Sequence, residues 1–574
     1  MPKRNTDNRS AGMSRRGFLK LGGSAVCTLG LGAVAAAGGS LLTPEAAYAT
    51  VEGDQTPLTD EEIEAAIQSG EIMTEFPESP VAAYALTNYA VKTIAGSSRY
   101  ETNKAQVLSA FSSCKWTIVA SGVGYADSIC AAGLAGALEC PIILTEADKL
   151  SQTAIDCIKS IGASNVLLLG SAVVASQQVE DSLKALVGSS SVERLGGDDR
   201  YATQMKVYQY GVDHGLWTGD LAVVSNATGF ADALAISPIS YKYKAPVFYV
   251  DETDYFPPEQ EAAIKACGKK RFLITGDQAV MSNSVESFLW STGATLVKRL
   301  AGPNRYKTSL AIAQYAVSDL GMSWNGVAIT SGSAPYDALG GGPVQGKENS
   351  VIVLMEEDDY HNAPFIPFPS KPTSMKFFGD KAIYSSAYKT RFALQAGYKL
   401  TDIEGLKVYV DAGHGGSDPG ACVGSYREAN LTAELAQKVG NYLQANYGVQ
   451  SYVNTKGNDY KLRHPEAKAM DCGVFVSIHF NIGGGKGTEA YIHSANSAAG
   501  SVRLRDSVLN RVVSALGRGE HGNGRKSAWF AVVSGPLPST LVEICFLDNP
   551  SDMSVYSGKK DAVARAIAQG IAEA

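Results

Sequence analysis

His414, Glu428, His479 and Glu543 are the side chains whose types and surroundings suit metal chemistry in this 574-residue chain. His414 lies in the glycine-lined turn that ends LKVYVDAGHGG, and His479 closes CGVFVSIHFN. Glu428 opens EANLTAELAQKVGNYL, and Glu543 sits inside STLVEICFLDN. Two imidazoles and one carboxylate around an open fourth position make the usual catalytic zinc set, because Zn²⁺ takes nitrogen and oxygen ligands tetrahedrally and needs one place for water. Glu543 is then left for proton transfer. The spacing is not the helix-borne HExxH arrangement, so the fold has to bring the four residues together.

The elements that would do so are legible as patterns. Short runs rich in Val and Ile, separated by helical patterns, read as buried parallel strands, and open α/β sheets place their sites at the carboxyl ends of such strands. After Glu428, the residues Leu431, Leu435, Val439 and Leu443 recur on one helical face, which puts that carboxylate on the first turn. A structural reading stands beside each assignment. Ser425 and Glu428 also fit an S-x-x-E capping box, in which Glu428 bonds back to the helix start. A single His after a strand is commonly a satisfied polar residue, and His464, His493 and His521 are left structural for want of partners. Glu543, between Val542 and Ile544, resists such a reading, since a carboxylate inside an apolar strand is costly unless paired or used.

With these residues in order, 406–574 resembles the zinc-dependent N-acetylmuramoyl-L-alanine amidases of the amidase-3 type. The resemblance implies metal ligands at His414, Glu428 and His479 and a catalytic Glu543. Asp411, Asn481, Gly487-Thr488-Glu489 and Asn549 match as supporting positions. Two departures touch no ligand: Cys545 replaces the usual Gly after the catalytic Glu-Ile, and KLRHPEAKAMDCG keeps Arg463 but follows its pattern loosely.

Upstream, the chain repeats itself. IAGSSRYET, LGGDDRYAT and LAGPNRYKT carry Arg99, Arg200 and Arg305 in one frame. Each is followed by a helical pattern, by a strand and turn ending in Asp127, Asp232 or Asp337, and by a strand ending in Gly170, Gly276 or Gly379. A period of about one hundred residues is a repeated α/β domain and not a solenoid unit. The three copies, 85–190, 191–295 and 296–396, resemble the cell-wall-binding type 2 repeat, which implies binding to an anionic secondary wall polymer. The third copy has GGGPVQG where the others have an Ala-rich helix. The repeated arginines suit polymer phosphate or carboxylate, and equally suit internal pairs with the repeated aspartates that lock the copies together.

Residues 1–49 read as a targeting segment: SRRGFLK with Arg15 and Arg16, a Gly/Ala-rich apolar run, and Ala47-Tyr48-Ala49 as a cleavage site. The twin-arginine route is expected, with an ordinary Sec signal as the alternative. Residues 50–84 are an acidic surface lead-in to the repeats. No later stretch is long and apolar enough to span a bilayer. A net charge of −7 without basic runs gives no support to nucleic-acid binding. Eight scattered Cys in the mature chain form neither a zinc ribbon nor a disulfide scaffold, and most are expected as small buried hydrophobes. The expected protein is α/β throughout: three tandem repeats, then an amidase domain with a mostly parallel sheet. The resemblances and the leader imply export to the wall of a Gram-positive bacterium, where the protein would use Zn²⁺ on peptidoglycan. The rival readings are a catalytically idle wall adhesin and a zinc peptidase that cuts stem peptides.

Overall fold

Runs of Val, Ile and Leu too short for helices form the strands of the chain. The computed structural model describes residues 55–77, 88–250, 256–357, 366, 368–380, 382–495 and 497–574. The twin-arginine segment and its cleavage site lie outside them. Among the described residues these strands form three four-stranded sheets, one six-stranded sheet and a two-stranded ribbon. The architecture is mixed α/β with mostly parallel sheets, as expected.

The first repeat sheet runs Ile142–Thr145, Trp116–Ser121, Asn165–Leu169, Val192–Leu195. The second runs Val247–Val250, Leu221–Asn226, Arg271–Thr275, Leu296–Leu300, in the same order and all parallel. In both, the last strand is the one that precedes the next RY motif, so the sheets are phased one strand later than the sequence repeats. The third sheet takes its last strand from the other end of the array: Val91–Ile94 pairs in parallel with Met375–Phe378. The three copies therefore close on one another.

The repeated motif has a local physical cause. Ser98, Asp199 and Asn304 cap the helices that begin at Arg99, Arg200 and Arg305, each accepting a backbone N–H from the first turn. Thr102, Thr203 and Thr308 in turn accept the N–H of Gly96, Gly197 and Gly302 at 3.0, 3.1 and 3.0 Å. The central helices Ala132–Ala137, Ala231–Lys242 and Gly341–Lys347 pack against one another. The third copy's glycines serve that contact, since a Cβ on Gly342 would stand 2.2 Å from Ser237 Oγ.

The six-stranded sheet runs Gln450–Asn454, Lys407–Ala412, Val474–Asn481, Ser539–Phe546, Thr488–His493, Glu520–Ala528. Only the pairing of Ser539–Phe546 with Thr488–His493 is antiparallel. Helices Glu428–Tyr447, Ser501–Leu516 and Pro550–Ala572 pack together on it. Leu435, Val439 and Leu443 are fully buried and Leu431 nearly so, as the helical spacing predicts. Residues 55–77, expected to lead onto the repeats, pack on this last unit instead. All eight described cysteines are free, and six are buried.

Candidate metal centre

Lys407–Ala412 and Val474–Asn481 are neighbouring parallel strands, so the turn after one and the last residues of the other meet at a common edge. Close approach is possible because position 413 is glycine: a Cβ there would stand 2.4 Å from the His479 ring. His414 then takes a left-handed backbone (φ 65°), which swings its ring toward His479, with ring centroids 5.0 Å apart. Two groups hold the turn in place. Arg463 donates to Asp411 at 3.1 Å, to the Ala412 carbonyl at 3.0 Å and to the His414 carbonyl at 3.0 Å. Thr432 Oγ1 donates to the Gly413 carbonyl at 2.7 Å.

Glu428 comes in from the crossover helix. The capping-box alternative fails, because Arg427 is the N-cap residue and no side chain caps that helix. The Glu428 carboxylate is 1% exposed and faces inward. Its Oε2 lies 3.1 Å from His414 Nε2 and accepts the Ala421 N–H at 2.9 Å, while Oε1 lies 3.2 Å from His479 Nδ1 and accepts the Phe480 N–H at 2.9 Å. One donor atom from each of His414, Glu428 and His479 falls within 4.8 Å of the others, and no further group of that kind occurs among the described residues.

The electrostatics favour a cation at this point. Burial opposes charge on Glu428, but the two imidazoles outweigh it and hold the carboxyl well below its ordinary range. Burial likewise opposes charge on His414, yet Glu428 and Asp418 push its pKa up to about 9. Asp418 was not anticipated: its Oδ2 is 2.7 Å from His414 Nδ1. A carboxylate can only accept, so Nδ1 carries a proton toward Asp418, and a cation at Nε2 would take the place of the second proton that the raised pKa favours there. That Nε2 is buried and has no aligned hydrogen-bond partner. An orphaned imidazole nitrogen beside an ionised carboxylate and a second imidazole is the donor set that a divalent metal satisfies.

Glu543 stands apart from this trio. It is the cross-strand partner of His479 on one side and of Glu489 on the other. Burial, then the charges of Glu428 and Glu489, raise its carboxyl well above the ordinary range, with Lys526 opposing. Its Oε2 is buried without a hydrogen-bond partner. Glu489 is itself well satisfied, accepting from Asn481 at 2.7 Å, from Tyr491 at 2.6 Å and from Lys526. A cavity of ≈ 310 Å³ opens beside the trio, with His414, His479, Asp418, Tyr460 and Phe530 on its walls. His464 is buried with its pKa lowered to about 3 by desolvation, in keeping with a structural residue.

The repeated arginines lie at the joints between copies. Arg99 donates to the Gly122 carbonyl at 2.6 Å, Arg200 to Ala227 at 2.5 Å and Arg305 to Gly332 at 2.6 Å. Each guanidinium also covers an aromatic ring of another copy: Tyr336, Tyr125 and Phe230 at 3.7, 5.6 and 5.5 Å from the ring centroid.

Fold and site thus define an α/β protein with a metal-competent His–Glu–His centre at the carboxyl ends of its strands. Residues 408–573 match the family model described as N-acetylmuramoyl-L-alanine amidase, and residues 93–180, 194–286 and 299–389 match cell wall binding domain 2. The N-acetylmuramoyl-L-alanine amidase LytC of Bacillus subtilis (strain 168) is 27% identical over 497 residues, spanning 85% of this chain and 95% of that protein. The sporulation-specific N-acetylmuramoyl-L-alanine amidase of the same organism is 30% identical, spanning 29% of this chain and 68% of that protein. Among solved structures, Cwp6 from Clostridium difficile is similar at 21% identity and a TM-score of 0.48, over 87% of this chain and 82% of that one. The chain belongs to the N-acetylmuramoyl-L-alanine amidase family.

Proposed function

We propose that the protein is a wall-anchored zinc hydrolase that cleaves the amide between N-acetylmuramic acid and L-alanine of peptidoglycan. The observation that carries the reading is the meeting of His414, Glu428 and His479 within 4.8 Å, with Glu543 beside them on the ladder but outside the ligand set. His414, Glu428 and His479 would hold the metal; nitrogen and oxygen donors in this number suit Zn²⁺. Bound there, Zn²⁺ supplies Lewis-acid polarisation of a carbonyl and a water acidified toward neutrality. Asp418 fixes the His414 tautomer, and Arg463 fixes the turn that carries it. Glu543, once ionised beside a bound cation that offsets the charge of Glu428, would take the proton of the water attacking the lactyl carbonyl, and its burial makes it the stronger base for that step. It then returns that proton to the departing L-Ala nitrogen as the C–N bond breaks.

The family supports the substrate, and the three matches to cell wall binding domain 2 support retention on an anionic secondary wall polymer outside the cell. Among the described residues no helix is long and apolar enough to cross a membrane. Export by the twin-arginine route remains part of the proposal. Arg99, Arg200 and Arg305 serve the joints in this reading. Arg200 and Arg305, exposed at the mouths of clefts of ≈ 280 and ≈ 290 Å³, are where polymer contact would be sought. Mass spectrometry of digested peptidoglycan tests the activity. Release of stem peptides with L-Ala at a free amino terminus is expected, and new amines only within the stem would show a peptidase instead.

A further inference from the structure

We propose that residues 55–77 belong to the catalytic unit and carry Gln55 onto the wall of its substrate cleft, where Gln55 is a specificity-determining residue that engages the stem peptide. The inference rests on the amidase reading and adds to it a part supplied from the far end of the chain.

The segment is built into the domain. Thr59 and Glu62 form a complete capping box at the start of helix Asp60–Ser69, so the helix has a defined beginning. Its apolar side meets the helix Tyr460–Ala469, where Ala66 and Ile72 are buried with Leu462, and Leu58, Ile63 and Ile67 pack around them. Burying several aliphatic side chains in this way holds a short helix that could not persist in water alone. Beyond the helix, the Met73 N–H donates at 3.1 Å to Glu466, a fully buried carboxylate that also accepts from Tyr409 at 2.5 Å. Without that N–H, a buried carboxylate oxygen loses a donor, which is costly. Phe76 joins the apolar cluster around Tyr409 and lies under Lys407.

The other end of the segment reaches the site. Gln55 Oε1 accepts the Ala531 N–H at 3.0 Å, and Gln55 lines the same cavity as His414 and His479. Gln55 is the one residue of the segment in that lining, and with the segment docked the cavity still measures ≈ 310 Å³, so the cleft is not filled. A primary amide fixed by its oxygen in the wall of a cleft suits hydrogen bonding to peptide amides, the groups that distinguish a stem peptide from glycan.

The test uses the full chain with a soluble muropeptide. Gln55→Ala should raise KM about five-fold, as loss of one hydrogen bond implies. The kcat and the bound zinc should stay within two-fold of wild type, and Gln55→Asn should recover part of the KM. Ile72→Asn, which undocks the segment, should raise KM at least as much and expose residues 55–77 to limited proteolysis. An active wild type with unchanged KM in both variants would overturn the inference, and a rise in kcat/KM would show a plug in place of a wall. A wild type that opens no muramoyl–alanine bond would refute the amidase reading itself, and this inference with it.

Discussion

The repeats and the amidase domain both set polar side chains at the carboxyl ends of buried parallel strands, yet only one of them gathers those side chains. In the amidase sheet two adjacent strands and a crossover helix aim His414, His479 and Glu428 at one point. In the repeats each strand end offers one aspartate, and the opposing charge arrives from another copy. Arg200 acts on Asp127, Arg305 on Asp232 and Arg99 on Asp337. The same strand-and-turn grammar thus makes a metal-competent centre where one domain supplies every donor, and a joint where two copies share them.

The comparison breaks most visibly at the metal centre. Glu428→Ala leaves two imidazoles and should lose zinc and all activity. Glu543→Gln keeps size and polarity but cannot take a proton; zinc should stay near one per chain while hydrolysis falls by on the order of 10²-fold or more. Elemental analysis beside dye release from labelled walls measures both. Zinc retained without Glu428 would remove that carboxylate from the ligand set, and zinc lost from the Glu543 variant would mean that the two roles are exchanged.

What could be read from the sequence was what local pattern encodes. Strand ends, the helix behind Glu428 and the three RY motifs follow from short-range periodicity and capping chemistry. Asp418 was missed although it stands four residues after His414, because a carboxylate in a glycine-rich turn has many local uses until its partner is seen. Arg463 was noticed without a role, since its partners Asp411 and His414 lie on a different element. The closing strand Val91–Ile94 and the docking of residues 55–77 were out of reach for another reason. Each pairs with a segment hundreds of residues away, and a strand or helix pattern does not name its partner. Glu428 was ambiguous for as long as the N-cap position was unknown, and Arg427 decides it.

A smaller effect sharpens the contrast through pH. Burial, opposed by Arg200 and Arg305, raises Asp127 and Asp232 to about 6. A folded pKa above the unfolded value gives stability that is full below about pH 4 and lost as pH rises through about 6, by roughly 2–3 kcal/mol per carboxylate. Calorimetric melting of the full chain at pH 4.5 and pH 7.5 should show the repeats losing stability on alkalinisation. Asp127→Asn with Asp232→Asn should flatten that loss, and an unchanged pH dependence would remove the aspartates from the joints.

The smallest expected effect separates joint from polymer contact at the arginines themselves. Each guanidinium contributes a hydrogen bond to a strand-end carbonyl and a ring contact, with a further hydrogen bond from Arg200 to the Tyr125 hydroxyl at 3.3 Å, together about 1–2 kcal/mol. Arg99 should matter most, because its 3.7 Å contact with Tyr336 joins the first copy to the third and so closes the array, whereas Arg200 and Arg305 lie farther from their rings. The clefts also argue against a simple anion site: Asp127, Asp198 and Asp199 surround Arg200, and Asp232 and Asp277 face Arg305, so acidic groups outnumber the arginine in both. Single Arg→Ala variants should therefore lower the melting temperature of the repeats in the order Arg99 before Arg200 and Arg305, with hydrolysis of soluble fragments unchanged. Undiminished melting temperatures together with weaker sedimentation on native walls would instead assign the arginines to the polymer, and the joints would then rest on the apolar contacts of the central helices.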